Sequence, residues 1–340
     1  MPAAPKATAP QETGTDGFHE PRREDCPWCG SRRLRTRLRA PDLRQRGRRG
    51  QGTFVVDECR DCGHAFQNPR LTAEGLAFYH RDLPEAAPHP VPPRRHRAAA
   101  RAMLPFPEPE SWLDVGTGEG AFPAAARRYF PYTAFDGVDI TRHVQKARAS
   151  GHIEEAHRGR LTDEAIVNQL HARYDVVSMF HHLEHTPDPR EELRAALRAL
   201  RPGGHLLIEV PDPHCAFGTL LGKWWPWYAQ PRHLHLMPPA NLVAELESRH
   251  CVIVTTDRRE PHVPYDLTGA LSLALTRALP ARRTPLLRAA TPLLAAATTL
   301  DHTLAPLLRR TRFANTYRII ARKGTAAELG AVAELRPGGG

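Results

Sequence analysis

From Ser111 onward the chain alternates short apolar runs with helical patterns, and this alternation constrains the fold more than any other feature. The runs are apolar on both faces, as strands of a buried parallel sheet are. Strands that alternate with helices predict a parallel sheet covered by helices. We expect strands at residues 112–115, 134–140, 174–180, 205–210, 251–256 and 316–321, with an indistinct third strand between the second and the fourth.

A glycine-rich segment follows the first of these strands. Glycines at positions 116, 118 and 120 lie between the strand and a helix that starts near Gly120. They let the backbone turn sharply and approach a ligand closely. The spacing is GxGxG, whereas a dinucleotide fingerprint reads GxGxxG. The second strand ends in Gly-Val-Asp139-Ile140, where a carboxylate can accept both hydroxyls of a ribose, so the two segments together predict a nucleoside-containing cofactor.

Four motifs occur in order within residues 111–258: LDVGTGEG, VDI, YDVVSMFHHLEH and LRPGGHLLIEVP. This series resembles the class I S-adenosylmethionine-dependent methyltransferases of the type 11/12/23-like branch. The resemblance implies an α/β fold with a doubly wound, seven-stranded Rossmann-like sheet. It also implies S-adenosylmethionine as cofactor and methyl transfer as the reaction.

The resemblance assigns cofactor contacts residue by residue. Asp114 would anchor the amino group of the methionine part, Asp139 would hold the ribose, and Ile140 would pack on adenine. The contact to the adenine amino group is hard to place, with Leu161 and Thr162 as candidates. Helix capping or turn formation is the structural alternative for the two aspartates. The predicted set is Asp114, Gly116, Thr117, Gly118, Gly120, Asp139, Ile140, Leu161, Thr162 and Phe180.

Histidines supply candidate bases for the acceptor. His181 and His182 follow the fourth strand, at the carboxyl edge where open α/β sheets bind ligands. The resemblance places the segment Arg-His233-Leu-His, after an aromatic loop, over the substrate pocket. His233 is therefore our first choice and His182 the second, because a histidine with an ordinary pKa can accept a proton at neutral pH. Packing or capping is the alternative for each.

The same motif raises a metal alternative. Glu184 and His185 could contribute to a divalent-metal site, but no further ligand is evident from the sequence.

Two CxxC-Gly pairs precede the α/β region, at Cys26, Cys29, Cys59 and Cys62. Four thiolates suit tetrahedral zinc, so we expect a structural zinc site, with a redox role for either pair as the alternative. The 29 residues between the pairs hold a basic loop at 32–52. The continuation to residue 70 resembles zinc-ribbon leaders of methyltransferases in this branch, with His64 expected at the surface.

These features predict the domain organisation. We expect a disordered tail (1–20), a zinc ribbon (21–70), a linker with helix (71–110), a methyltransferase domain (111–324) and a second disordered tail (325–340). The domain would include a Leu- and Ala-rich helical insert (262–311), broken by prolines, that acts as a lid or makes peripheral membrane contact. Pro292, Pro306, Asp301 and His302 argue against a membrane span there.

The net charge of +10 raises the question of a nucleic-acid partner. Because 43 of the 47 basic residues are arginine, the pattern is typical of genome-wide codon bias, which favours a solvated basic surface or an anionic small substrate over a nucleic-acid partner. We expect a small-molecule acceptor of secondary-metabolite, glycosyl or lipid-like character, methylated at O, N or C. The alternatives are an RNA methyltransferase that grips phosphates with residues 32–49 and a non-catalytic scaffold. Reduced cysteines and the absence of a signal-like start predict a cytoplasmic protein.

Overall fold

The structure is a computed structural model that describes residues 18–41, 52–80, 93–278 and 289–325, together with Leu43 and Glu328. Most of the two predicted tails, the centre of the predicted basic loop (44–51) and residues 81–92 of the predicted linker lie outside the described residues.

The strands of the described residues form two sheets. In chain order they are β1 (Leu34–Pro41), β2 (Thr53–Cys59), β3 (Ala65–Gln67), β4 (Ser111–Val115), β5 (Ala134–Asp139), β6 (Ala156–Arg158), β7 (Tyr174–Phe180), β8 (Leu200–Pro211), β9 (His235–Leu236), β10 (Cys251–Asp257) and β11 (Thr316–Lys323).

Helices flank the larger sheet and connect its strands. They are α1 (Ala73–His80), α2 (Pro93–Arg101), α3 (Ala121–Ala126), α4 (His143–Ala149), α5 (Glu164–Gln169), α6 (Pro189–Ala199), α7 (Ala216–Leu220), α8 (Pro239–Ser248), α9 (Asp266–Ala278) and α10 (Thr291–Leu308).

The larger sheet has seven strands in the order β10-β11-β8-β7-β4-β5-β6. The strands from β6 to β8 are parallel, whereas β11 pairs antiparallel with both β8 and β10. This confirms the predicted doubly wound α/β sheet. The strand that the sequence left indistinct is β6, which has only three residues and no buried one, so it carries no apolar signal.

The register of the parallel strands brings the predicted site residues to one edge. Asp114 on β4 lies opposite Gly137 on β5 and Ser178 on β7. Because parallel strands end at the same edge of a sheet, the loops after β4, β5 and β7 lie next to one another. Helix α6 then begins at Pro189, with the carboxylate of Asp188 accepting hydrogen bonds from two amides of its first turn.

The smaller sheet joins the cysteine pairs to the α/β region. Its order is β1-β2-β3-β9, and all its pairings are antiparallel. Strand β9 comes from the histidine segment that follows the aromatic loop, so the chain returns to complete the ribbon sheet. Cys26, Trp28 and Phe66 of the ribbon belong to the same hydrophobic cluster as Leu183 and Met237. The ribbon therefore packs as part of the main core.

Two helices of the predicted insert, α9 and α10, pack against each other. The carboxylate of buried Asp301 accepts hydrogen bonds from the amides of Leu267 and Thr268 and so caps α9. The prediction that prolines break this segment is wrong for Pro306, which lies inside the last turn of α10. Across the described residues, every helix is too short or too polar to cross a bilayer.

Candidate functional site

The loop after β4 forms a tight cradle at the edge of the sheet. Gly116 has a φ of 74°, and its amide donates to the carbonyl of Val138 at 2.8 Å. A Cβ at this position would lie 2.8 Å from Nδ1 of His182. Gly116 is therefore required both by its left-handed backbone and by the side chain that lies against it.

Asp114 lies at the base of this cradle. It is 3% exposed and accepts a hydrogen bond of 2.6 Å from the hydroxyl of Ser178. Burial raises the pKa of the Asp114 carboxyl to about 7, although the Ser178 hydroxyl opposes the shift. A cationic group that binds beside this buried carboxyl would lower its pKa and favour the ionised carboxylate.

Asp139 ends β5 and connects it to the glycine loop. Its Oδ2 accepts from the amide of Gly118 at 2.9 Å, and its Oδ1 accepts from the amide and hydroxyl of Thr141. Three of the roughly four acceptor positions of the carboxylate are thus used, so Oδ2 retains capacity for a ligand hydroxyl. The hydroxyl of Thr117, in the glycine loop, is buried with no hydrogen-bond partner among the described residues.

The remaining predicted cofactor residues differ in accessibility. Ile140 is 57% exposed directly after Asp139, so its side chain is free to cover a planar ring. Leu161 is 1% exposed within the main core, whereas Thr162 is half-buried. Phe180, at the end of β7, packs against Phe122 with ring centroids 4.4 Å apart. Gly120 starts α3 with a φ of 76°.

Two histidines follow β7 and have different partners. His182 lies against Gly116, and its Nε2 contacts Oε1 of Glu192 at 2.9 Å. Burial alone would lower the pKa of His182, but the Glu192 carboxylate raises it above the ordinary value. His181 has a left-handed backbone with a φ of 51°, and its ring stacks on Trp227.

The turn after these histidines contains a buried carboxylate. Glu184 is fully buried, and its Oε1 lies 3.2 Å from Nδ1 of His181. Burial opposes ionisation, but the hydrogen bond with His181 and the nearby His185 and His233 lower the pKa of Glu184 to about 2. The structure thus brings together His233, which follows the aromatic loop, and the segment 181–185, whose sequence HHLEH we call the HxLEH motif. No prediction had joined them.

His185 and His233 are held in one orientation each by backbone carbonyls. Nδ1 of His233 donates to the carbonyl of Trp227 at 2.7 Å, and Nδ1 of His185 donates to that of Arg232 at 3.1 Å. The two rings meet edge to face with centroids 4.7 Å apart. Because a carbonyl only accepts, both rings carry their proton on Nδ1 when neutral.

The ribbon supports the histidine loop, which we define as residues 229–235. Gln67 of β3 donates to the side chain of Gln230, and Gln230 donates in turn to the carbonyl of His233. The amide of Leu234 also donates to the carbonyl of Glu184 at 2.7 Å. Long-range contacts therefore fix the position of His233.

His64 corrects a prediction. We expected it at the surface, but it is 0% exposed, with Nε2 placed 3.0 Å from Nδ1 of His235. His235 in turn donates from Nε2 to the carbonyl of Pro187. Burial lowers the pKa of both imidazoles, that of His235 to about 4, so the pair is neutral at pH 7. Ribbon packing against β9 placed this histidine inside.

The four predicted cysteine ligands converge. Sγ of Cys26 lies 3.7 Å from that of Cys62, and Sγ of Cys29 lies 3.6 Å from that of Cys59. Tetrahedral zinc with Zn–S bonds of about 2.3 Å separates its sulfurs by about 3.8 Å. All four sulfurs lie within 4.8 Å of one another, so the donor set and spacing fit a structural zinc ion.

Sequence reasoning missed several residues around the site. Glu192 holds His182 from α6, and Trp227 contacts His181 and His233. Buried Glu209 accepts from Arg318 at 2.7 Å and from Arg95 of α2 at 3.4 Å. The strong amphipathic pattern of α2 was a usable signal for its packing on the sheet. Nothing in the sequence linked Glu192 to His182, ten residues apart.

Comparison with known proteins gives matches to methyltransferases. The family model described as Methyltransferase domain matches residues 80–256. The chain is 30% identical over 127 residues to the ubiquinone biosynthesis O-methyltransferase of Alkalilimnicola ehrlichii, covering 36% of this chain and 51% of that protein. It is 35% identical over 137 residues to the enzyme of the same name from Aeromonas salmonicida, covering 38% and 58%. The chain thus spans about half the length of the curated relatives that it matches.

Solved structures give fold-level matches. The cyclase SpnF is 18% identical with a TM-score of 0.46, covering 69% of this chain and 81% of that one. Geranyl diphosphate methyltransferase, in complex with GPP and sinefungin, is 14% identical with a TM-score of 0.41, covering 66% and 78%. Since the family model spans more than half of the 340 residues, the chain belongs to the methyltransferase domain family.

Proposed function

We propose that this protein is an S-adenosylmethionine-dependent methyltransferase that acts on a small-molecule acceptor. The observation that carries the proposal is the coupling between the glycine loop and Asp139, in which the Gly118 amide donates to a carboxylate that retains acceptor capacity. S-adenosylmethionine supplies a methyl group activated by its sulfonium. The protein has to hold this donor and orient the acceptor for in-line attack.

The residues of the cradle fit such a donor. Asp114, whose pKa burial raises to about 7, would bind the amino group of the methionine part. The unpartnered hydroxyl of Thr117 lies in the same loop. Asp139 would accept the ribose hydroxyls, and exposed Ile140 would cover the adenine, with half-buried Thr162 as the remaining adenine contact. Buried Leu161 can contribute only through its backbone.

The histidines of the HxLEH motif and the histidine loop would face the acceptor. His181 and His233 both lie close to Glu184, and both contact Trp227. His182, held by Glu192 with a raised pKa, is better suited to ordering the glycine loop against which it lies than to accepting a proton. This favours His233 or His181 over His182 on the acceptor side.

The acceptor would carry an apolar or aromatic part. Trp225 donates from its indole to buried Asp266 of α9, which joins the aromatic loop to the helical insert. Helix α10, which packs against α9, exposes Leu293, Leu300 and Leu307. Exposed leucines on this helix are consistent with a lid or with contact to a lipid-like molecule. The relatives named as ubiquinone biosynthesis O-methyltransferases support an oxygen as the methylated atom.

Zinc at Cys26, Cys29, Cys59 and Cys62 would have a structural role. Each knuckle is closed by a backbone hydrogen bond of 2.9 Å, from Gly30 to the carbonyl of Cys26 and from Gly63 to that of Cys59. A four-thiolate site has no open coordination position. Its effect on catalysis would pass through β3 and Gln67 to the histidine loop.

Transfer of the labelled methyl group of S-adenosylmethionine tests the function. Three acceptor classes would be offered: a phenol with an apolar tail, a long-chain alcohol and a glycoside, with total RNA as a fourth. We expect transfer to a small molecule at rates that change little between 50 and 200 mM salt. Transfer to RNA that falls steeply with salt would favour the nucleic-acid alternative. Absence of binding by folded protein would favour a scaffold.

A further inference from the structure

Glu184, His185 and His233 form a group of potential metal ligands outside the cysteine cluster. Each offers a ligand atom, and these atoms lie within 4.8 Å of one another. Two imidazoles and one carboxylate are a typical ligand set for divalent first-row transition metals. Bonds from such ions to nitrogen and oxygen are about 2.0–2.2 Å, so two ligand atoms of one ion lie at most about 4.4 Å apart, close to the spread seen here.

The carboxylate of Glu184 has a buried oxygen that a cation could bind. Glu184 is 0% exposed, its Oε1 contacts His181, and its Oε2 is buried with no hydrogen-bond partner in the part of the chain that the structure describes. Burying an oxygen of a carboxylate without a partner costs free energy, so buried charges are usually paired or coordinate a metal. This orphaned oxygen belongs to the side chain that groups with His185 and His233.

Each of the two imidazoles likewise has a ring nitrogen that a cation could bind. His185 and His233 both donate from Nδ1 to backbone carbonyls, those of Arg232 and Trp227. In each ring this hydrogen bond places the proton on Nδ1 and therefore the lone pair on Nε2. Metal-ligating histidines almost always make such a hydrogen bond from their other nitrogen. The arrangement is thus that of a metal site with its outer hydrogen bonds already formed.

A second group of three potential metal ligands differs in the hydrogen-bond partners of its carboxylates. Asp136, Glu155 and His157 also lie close together. There Asp136 accepts from Tyr174, and Glu155 accepts from Arg173 at 2.7 Å. Those carboxylates already have cationic or hydroxyl partners, so this group has no need of an ion and serves as a comparison.

From these contacts we infer that Glu184, His185 and His233 bind one divalent first-row transition-metal ion such as Mn²⁺. His185 is exposed, so the site opens to solvent on one side and keeps positions for water or an oxygen of the acceptor. The role in holding an acceptor rests on the proposed methyl-transfer function, whereas metal binding itself does not. In this account His233 is a metal ligand, which leaves His181 as the nearest histidine able to accept a proton.

The inference is tested by titrating zinc-loaded protein with Mn²⁺. Binding is measured as the loss of the electron paramagnetic resonance signal of the free ion. Mn²⁺ is the probe because it prefers oxygen and nitrogen ligands and competes poorly for the thiolates. We expect one ion per chain. His185→Ala, at an exposed position, and Glu184→Gln should each weaken binding at least tenfold, the range found for altered metal sites. Glu155→Gln is the matched control and should bind as the wild type does.

Binding of S-adenosylmethionine is measured on the same samples. It reports whether Glu184→Gln remains folded, and it separates the two proposals. Cofactor binding without Mn²⁺ binding would overturn the metal site and leave the methyltransferase proposal standing. Equal Mn²⁺ affinity in the wild type and in His185→Ala would also overturn it.

Discussion

The cofactor side and the acceptor side of the site are built in different ways. On the cofactor side, Asp114, the glycine loop and Asp139 lie within 26 residues of one another and are joined by neighbouring strands. On the acceptor side, His181 and Glu184 meet the histidine loop some 50 residues later, and Gln67 of the ribbon supports that loop. The first half is assembled locally, whereas the second depends on long-range packing.

This difference has a functional consequence. The cofactor side depends on β4 and β5, which pair directly, and on the loops that follow neighbouring strands. The acceptor side needs the ribbon, because β9 pairs with β3 and the hydrogen bonds of Gln67 and Gln230 reach the carbonyl of His233. We therefore expect damage to the ribbon to affect the acceptor more than the cofactor.

Loss of a zinc ligand should have the largest effect. Cys59→Ser would remove a thiolate from a unit whose folding depends on its metal, and we expect the melting temperature to fall by roughly 10 °C. At temperatures below the transition, methyl transfer should fall about 100-fold, while the affinity for S-adenosylmethionine changes less than about threefold. Cys215→Ala, outside the four ligands, is the control. Equal losses of S-adenosylmethionine binding and of methyl transfer would contradict the expectation that the ribbon affects the acceptor side more than the cofactor side.

Gly116→Ala should have the next largest effect, and on the cofactor side alone. The left-handed backbone costs about 1–2 kcal/mol with a side chain, and the new Cβ would meet His182 at 2.8 Å. We expect affinity for S-adenosylmethionine, measured by calorimetry, to fall about 100-fold, through these two costs together.

Gly151→Ala is the matched control for this variant. Gly151 has a φ of 71° and open space around its Cβ position. It should lose about 1 kcal/mol of stability and no affinity. A loss of affinity in Gly151→Ala as large as in Gly116→Ala would show that general destabilisation, and not the cradle, controls binding.

Glu192→Gln should change the pH dependence of stability. Because Glu192 raises the pKa of His182 above its unfolded value near 6.5, the stabilisation is fully present below pH 6.5 and is lost as pH rises through the folded pKa. The variant should be less stable by about 2 kcal/mol at pH 6, and the difference should shrink toward pH 8.5.

Urea unfolding at a series of pH values measures this difference. Glu191→Gln, an exposed neighbour in the same helix turn, is the control and should show no such trend. A difference between Glu192→Gln and the wild type that is constant with pH would mean that His182 does not carry the effect.

Ile140→Ala should have the smallest effect. The side chain is 57% exposed, so its loss leaves stability unchanged. Covering it with an adenine ring would bury apolar area worth about 1 kcal/mol, so the dissociation constant for S-adenosylmethionine should rise about fivefold. An unchanged constant would remove Ile140 from the cofactor site.

The predictability of the two sides follows from the same distinction. Glycine spacing, an acid at a strand end and runs of buried strands are local signals, so the sheet and its loops could be predicted, apart from β6, whose three residues are not buried. The partnership of Glu184 with His233 and the burial of His64 arise from tertiary contacts. The expectation that His64 is exposed failed because no local pattern indicates that β9 will cover it.

Calorimetric titration of zinc-loaded protein with S-adenosylmethionine, alongside Asp139→Ala, tests the central claim most directly. We expect saturable binding with one site per chain. Binding should be lost in Asp139→Ala, because no carboxylate remains to accept hydrogen bonds from the ribose hydroxyls. Asp257→Ala, at the end of β10 on the opposite edge of the sheet, is the control and should bind normally. Absence of binding to folded wild-type protein, or unchanged binding by Asp139→Ala, would contradict the assignment of the cofactor site.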